Sequence, residues 1–208
     1  RLEGVVDSPS LSGHIDITMM PGADTVMEIT TTIFPRVEVN DIGVAPLTSM
    51  YLKGPMLGAV SDDFRPRVHD SDVLVIENGA GETLWRPIAN PRDVETSSFA
   101  DDGPSRFGLY QTPRRFADFE DTEARYHDRP SAYVEPLERW GAGSVMLVEL
   151  PTGDEFLDNI VAFWRPEDPL QPGKAYRFKY RLTWTKRSPE TGGVPYIMQS
   201  RSGKEHDR

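Results

Sequence analysis

The 208-residue sequence predicts an all-β fold, a sandwich of short antiparallel strands. Three observations carry that expectation. Most periodic segments alternate apolar and polar residues rather than repeating every three or four positions. Val, Ile, Thr and aromatic residues are concentrated in those segments. The 18 prolines and 17 glycines are dispersed, so they cut the chain into short elements with turns between them.

Taken in order, "GHIDITMMPG" (13–22) and "TVMEITTTIFPRV" (25–37) read as strands punctuated by Pro and Gly. "DVLVIENGAGETLWRPI" reads as two strands around a glycine-rich turn, Asn78 to Gly81. "GSVMLVELP", "DNIVAFWRP" and "KAYRFKYRLTWTK" are three further strands. The last alternates most clearly: Tyr176, Phe178, Tyr180, Leu182 and Trp184 share one face, and Arg177, Lys179 and Arg181 the other. One helix is admitted over Pro113–Arg125. The stretch from Arg106 to Pro136 mixes Tyr, Arg, Asp and Gln so densely that it reads as a long loop lining a polar cleft. From Ser188 the composition turns to "SPETGGVP", a linker over 188–195, and 196–208 reads as the first strand of a further domain.

Composition removes several function classes. The net charge of −10 leaves no basic stripe for a nucleic-acid backbone, so no nucleic-acid partner is expected. Neutral polymers such as glycans stay open. With no cysteine there is no disulfide framework and no thiolate nucleophile. No apolar stretch approaches the roughly 20 residues of a membrane span. The first residue is Arg1 and no leader follows it, which suggests a portion of a longer chain. There is no nucleophile elbow, phosphate-binding loop or dinucleotide fingerprint.

Two acidic stretches precede apolar runs. In "HDSD", His69, Asp70, Ser71 and Asp72 stand directly before Val73–Ile76. The element could be a turn whose side chains bind nearby amides, or a pair of carboxylates, Asp70 and Asp72, sharing one face toward a groove. A metal is not expected, because no second histidine lies at a useful spacing, and no cofactor motif is present. In "PTGDEFLDNIVAFW", Asp154, Glu155 and Asp158 crowd the entry to an aromatic strand. They read either as a solvated loop or as a site where one acid, best Asp158, is desolvated and keeps its proton. Aromatics with polar neighbours, among them Trp85-Arg86, Tyr126 and Trp140, suit either a core or sugar faces in a cleft.

Several strings together resemble the OpgG/OpgD (MdoG/MdoD) family of periplasmic glucan-biosynthesis proteins. They are "GVAPLTSMY", "DFRPRVHDSD", "LWRPIANPR", "SSFADDGPSRFGLYQ", "ARYHDRPSAYVEP", "WGAGSVMLVELPTGDEFLDNIVAFW" and "YRLTW", in the family's order across about Asp7 to Trp184. The resemblance implies a galactose-mutarotase-like β-sandwich, with residues 1–187 its C-terminal portion and 196–208 the start of an immunoglobulin-like domain. It implies a periplasmic location, a β-1,2-glucan substrate, a membrane glucan synthase as a partner and a possible homodimer. By the same resemblance the activity is that of an inverting endo-β-1,2-glucanase, with Asp158 as general acid and Asp70 as general base through water. Transglycosylation or glucan binding without catalysis are the alternatives it carries. Tyr126 and Glu155 are implied beside the cleaved linkage, and His69, Asp72, Trp85, Arg86, Arg125 and Trp140 are expected to line the same cleft. Family members often have Asn at Gly103, Arg at Thr112 and Trp at Tyr133.

Overall fold

A computed structural model describes residues 1–55 and 62–189. The strands in chain order are β1 (Leu2–Asp7), β2 (Leu11–Met20), β3 (Thr25–Pro35), β4 (Val44–Ser49), β5 (Tyr51–Lys53), β6 (Val68–His69) and β7 (Val73–Glu77). They continue as β8 (Thr83–Pro87), β9 (Glu95–Asp101), β10 (Arg106–Tyr110), β11 (Ser131–Pro136), β12 (Gly143–Glu149), β13 (Ile160–Pro166) and β14 (Tyr176–Thr185). Eight of them form one sheet in the order β1-β2-β3-β14-β11-β10-β7-β8, four form a second, β4-β13-β12-β9, and β5 pairs β6 in a short ribbon. Every pairing is antiparallel.

The two sheets pack face to face, as the alternation predicts. Ile29, Leu74, Ile76, Phe107, Leu109, Val134 and Phe178 from the larger sheet meet Leu47, Val145, Leu147, Ile160 and Trp164 from the smaller in one core. Each such side chain contributes on the order of 2 kcal/mol by leaving water. The Asn78–Gly81 turn forms as expected: Gly81 donates to the Asn78 carbonyl at 3.1 Å and holds φ at 84°, a left-handed conformation open to glycine. Among the described residues no helix is long and apolar enough to cross a membrane.

Two expectations are corrected. Arg106–Tyr110 and Ser131–Pro136 are not loop but inner strands, because Phe107, Leu109 and Val134 are buried in the core. The loop shrinks to the residues between them. Within it Pro113–Arg125 forms no α-helix, only a 3-10 turn at Phe116–Asp118, followed by a second at Tyr126–Asp128. Side chains outcompete the helix bonds: Asp118 folds back onto the Arg115 amide (3.1 Å), and Asp121 Oδ1 takes the amides of Glu123, Ala124 and Arg125. On β14 the core face runs through Phe178 and Tyr180, but Thr183 and Thr185, on the opposite face, are also buried. That end lies beside the loop, where Lys186 Nζ donates to Asp128 at 2.9 Å. The linker and strand expected over 188–208 fall, from residue 190 on, outside the described residues.

The outer face of the larger sheet has its own aromatic row. Trp85, Val75, Gly108 and Tyr133 stand opposite one another on successive strands. Tyr133 stacks on Tyr110, centroids 6.0 Å apart, and carries the Arg106 guanidinium 4.8 Å from its ring centre. A Cβ on Gly108 would meet the Tyr133 Cβ at 2.5 Å and the Ala132 carbonyl at 2.7 Å. Because backbone is among the obstacles, Gly108→Ala is expected to destabilise by about 2 kcal/mol, read as a lowered unfolding midpoint. An unchanged midpoint would mean that the two strands yield freely there.

Candidate functional site

The register brings several strand ends to one rim. β7 starts opposite the end of β10, β11 starts beside β14, and β13 starts opposite the ends of β12 and β4. Two links join the sheets here: a buried one between the Ser49 and Ser71 hydroxyls at 2.6 Å, and a partly buried one in which Arg86 donates to Glu149 Oε2 at 2.8 Å. The rim is therefore where side chains from both sheets can converge.

"HDSD" is the crossover from the β5–β6 ribbon into the larger sheet. The Asp70 amide donates to Met50 O and the Asp72 amide to Tyr110 O, so the chain changes partners at Ser71. Residues 70–72 are not in a strand, and the expectation that Asp70 and Asp72 share a face fails for that reason. Asp72 is engaged internally, accepting from the Thr112 amide at 2.8 Å and from the Thr112 hydroxyl. Burial pushes its carboxyl up and those bonds oppose the shift. Thr112 thus closes a local structural contact with Asp72.

His69 lies beneath this crossover, 1% exposed, stacked on Tyr51 at 5.0 Å and edge-on to Phe119. Gln111 Nε2 donates to the carbonyls of His69 and Tyr126, each at 3.0 Å, so its Oε1 is the acceptor facing His69 Nδ1 at 2.7 Å. That fixes the Nδ1–H tautomer of a neutral ring, with its pKa pushed down to about 3 by burial. His69 is a support and touches no open space.

Asp70 is different. Its Oδ1 is buried without a hydrogen-bond partner among the described residues, with Arg129 Nη1 at 3.5 Å as an ion contact only. Burial raises its pKa; Arg129 lowers it and the nearby Asp158 raises it further. Asp158 reaches this neighbourhood through its successor. Asn159, fully buried, accepts the Tyr51 amide at 2.8 Å and donates to the carbonyls of Tyr51 (3.1 Å) and Leu150 (2.9 Å). Tyr51 pairs His69 across the ribbon, so Asp158 and Asp70 are held by one connected frame. Asp158 itself is exposed. The sequence expectation of an acid desolvated beside aromatics is not met at Asp158, because Val161, Phe163 and Trp164 begin beyond the turn; burial acts instead on Asp72, which is hydrogen-bonded, and on Asp70, whose Oδ1 is not.

Around them lies a network that sequence reasoning did not single out. Arg65 holds Asp63 in a fork (Nε–Oδ1 3.0 Å, Nη2–Oδ2 2.8 Å), Asp121 at 2.6 Å and Glu155 at 2.9 Å. The same Glu155 oxygen accepts the Tyr126 hydroxyl at 3.0 Å. Burial, then Glu155, push the Tyr126 phenol above its usual range, so it stays a neutral donor. Arg129 closes the circuit, its guanidinium 5.6 Å from the Tyr126 ring centre. A groove of ≈ 490 Å³ opens beside Arg65 and Glu155, lined also by Lys53, Asn90, Asp154 and Phe156. A second groove, ≈ 420 Å³, crosses β2, β3 and β14 and shares no lining residue with this network.

Of the ten residues singled out, Asp70, Asp158, Tyr126 and Glu155 are brought to one rim, with His69 and Asp72 supporting it. Four are elsewhere or otherwise engaged. Trp140 packs against Trp164, Phe178 and Tyr180 on the core, at the opposite end of β11. Arg86 is committed to Glu149, whose other oxygen takes the Ala89 amide at 2.7 Å. Trp85 belongs to the outer-face row against Val73, Val75 and Tyr110. Arg125 points outward and pairs with Asp128, its backbone left-handed at φ 54°.

Comparison with known proteins adds a family. The family model described as "Periplasmic glucan biosynthesis protein, MdoG" matches residues 1–208. Glucans biosynthesis protein G of Shewanella baltica (strain OS195) is 44% identical over 203 residues, covering 98% of this chain and 38% of that protein. The protein of the same name from Vibrio cholerae serotype O1 (strain ATCC 39541 / Classical Ogawa 395 / O395) is 45% identical, with 98% and 37% covered. The chain thus spans under two fifths of the length of these curated relatives.

Proposed function

This chain belongs to the MdoG family of periplasmic glucan biosynthesis proteins, and we propose that it supplies the carboxylates with which its parent protein cleaves β-1,2-linked glucan with inversion. The observation that supports this reading most is the pairing of a buried carboxylate oxygen on Asp70, which accepts no hydrogen bond among the described residues, with an exposed Asp158 on the same frame. Inverting cleavage needs a proton donor at the leaving oxygen and a base that activates water on the opposite face of the sugar. Asp158 is open to a polymer, so a glucan laid over the rim meets its carboxyl directly. Asp70 sits deeper, so it reaches the nucleophilic water through an intervening hydroxyl or water. Its raised pKa makes its ionised form a stronger base than an exposed aspartate. Tyr126 and Glu155, coupled at 3.0 Å, present a phenolic oxygen and a carboxylate as acceptors to sugar hydroxyls beside the linkage.

The setting is the periplasm, with a neutral glucan made by a membrane synthase as substrate. The exposure of Asp158 favours one second reading, a glucan-holding factor without turnover. To separate them, the full-length parent protein is incubated with linear β-1,2-glucan while reducing ends and product anomers are followed. New reducing ends appearing first as the α-anomer are expected from inversion of a β-linkage. Redistributed chain lengths without new ends identify a transglycosylase. Glucan that binds and stays unchanged sinks the catalytic roles of Asp70 and Asp158 and leaves the holding factor.

A further inference from the structure

Phe156 is 90% exposed and its neighbour Leu157 is 48% exposed, on the turn between Glu155 and Asp158. Exposed large apolar groups are common on flexible tips, but this turn is pinned. The Thr152 amide donates to Asn90 Oδ1 at 3.0 Å, and Asn90 Nδ2 donates to the carbonyls of Thr152 (2.8 Å) and Leu52 (3.0 Å). The Asp154 amide donates to Thr152 Oγ1 at 3.0 Å, and the Phe156 amide to Asp154 Oδ1 at 2.9 Å. Asn159 then locks the far side to Tyr51 and Leu150. A phenyl ring is thus held out on a fixed backbone, where its exposure brings no hydrophobic stabilisation to the fold.

The ring also borders the ≈ 490 Å³ groove beside Arg65 and Glu155. Lys53, Asp63 and Asn90 give that groove polar walls, and Phe156 and Leu52 are its apolar surfaces. Tyr126 and Arg65 both bind Glu155 Oε2, so Oε1 is left as an acceptor. One aromatic face beside several hydroxyl-binding groups matches a pyranose, whose C–H surface lies on the ring while its hydroxyls meet the polar walls. A charged ligand of either sign fits less well, because the groove carries both signs already paired through Arg65 and Lys53.

We propose that Phe156 and this groove form a glucosyl subsite, one position along the glucan from the Tyr126–Glu155 pair, on the far side of Glu155 from Asp70. The subsite rests on the functional reading above. It makes Phe156 a residue that sets how long a glucan is held, by stacking on a sugar outside the reacting pair.

The test uses the full-length parent protein and linear β-1,2-linked oligosaccharides of increasing length, with affinity by calorimetry and KM by reducing ends. Phe156→Ala is expected to weaken binding of the longer oligosaccharides about tenfold, a loss matching one stacked ring, with KM rising in step. Phe156→Trp is expected to restore it. Affinity unchanged in Phe156→Ala, while wild type binds, overturns the subsite alone. So does a Phe156→Ala protein whose glucan affinity holds but whose unfolding midpoint drops, since the ring would then pack against the parent's remaining polypeptide. A wild-type protein that binds no glucan overturns the functional reading and the subsite with it.

Discussion

Asp70→Asn in the parent protein is expected to lower turnover of β-1,2-glucan about a thousandfold while glucan affinity is retained, the loss typical of a removed general base. The substitution keeps the shape of the side chain and the Asp70 amide bond to Met50 O. Arg129, which loses its partner, is 46% exposed and is resolvated by water. The pH dependence gives the sign. Burial and Asp158 hold the folded-state pKa of Asp70 above the ordinary carboxylate range, with Arg129 opposing. The ionised base is therefore lost at a higher pH than for an exposed aspartate, and the acid limb of kcat/KM is displaced upward with it. Arg129→Met removes the opposing cation and moves that limb to still higher pH, modestly because the pair is partly solvated. Stability runs the other way. A group whose pKa is raised by folding favours the folded state below its unfolded pKa, and that contribution is lost as pH rises through the folded value. At neutral pH Asp70→Asn is then neutral to stabilising. Unimpaired turnover, or an acid limb no higher than an exposed aspartate's that ignores Arg129, would remove Asp70 from the base role.

The strands were the most legible feature of this chain, because alternation of Val, Ile and Thr against polar residues reports directly on a sheet with one buried face. β10 and β11 were missed for a physical reason: Arg106, Tyr110, Tyr133 and Glu135 look outward and give these strands a loop-like composition, while Phe107, Leu109 and Val134 alone carry the core. Trp140 and Trp85 show the limit of composition for sites. An indole beside an Arg reads identically whether it faces a sugar or Phe178, and only packing decides. The acids were found because acidic residues directly ahead of an apolar run are conspicuous. Which of them is desolvated was not legible, since burial of Asp70 depends on a ribbon, β5–β6, whose pairing spans residues 51 to 69. Arg65 left no signal at all. Two of its partners, Asp121 and Glu155, are far along the chain, and the two arginines of "FRPR" show no periodicity; only the fold reveals three carboxylates on the Arg65 guanidinium.

That convergence makes Arg65→Met the substitution with the largest expected effect on stability, about 3 kcal/mol at neutral pH, as for removing one partner of a buried ion cluster. Asp121 is 4% exposed, so water cannot replace its lost contact without opening the rim, whereas Asp63 and Glu155 border the groove and are partly rehydrated. Asp63 is pushed down to about 2, chiefly by its bonds to Arg65. Asp121, which burial alone would raise, is net lowered by Arg65 and by the amides of Arg125 and Ala124. For groups lowered on folding, the stabilisation is fully present above the unfolded carboxylate pKa near 4 and fades as pH falls toward about 2. The gap between wild type and Arg65→Met is therefore widest at neutral pH and narrows on acidification, when the stranded carboxylates take protons. Thermal unfolding midpoints of the two proteins between pH 7 and pH 3 measure this. Arg65→Lys separates charge from geometry: one ammonium can approach one or two of the acids but cannot reproduce the fork on Asp63 while reaching Asp121 and Glu155. It is expected to recover part of the stability, yet to leave KM for glucan raised, because Tyr126 and Glu155 lose their fixed position. A constant gap across that pH range would show that Arg65 acts by packing alone, and full recovery of KM by lysine would show that its charge, not its fork, orders the rim.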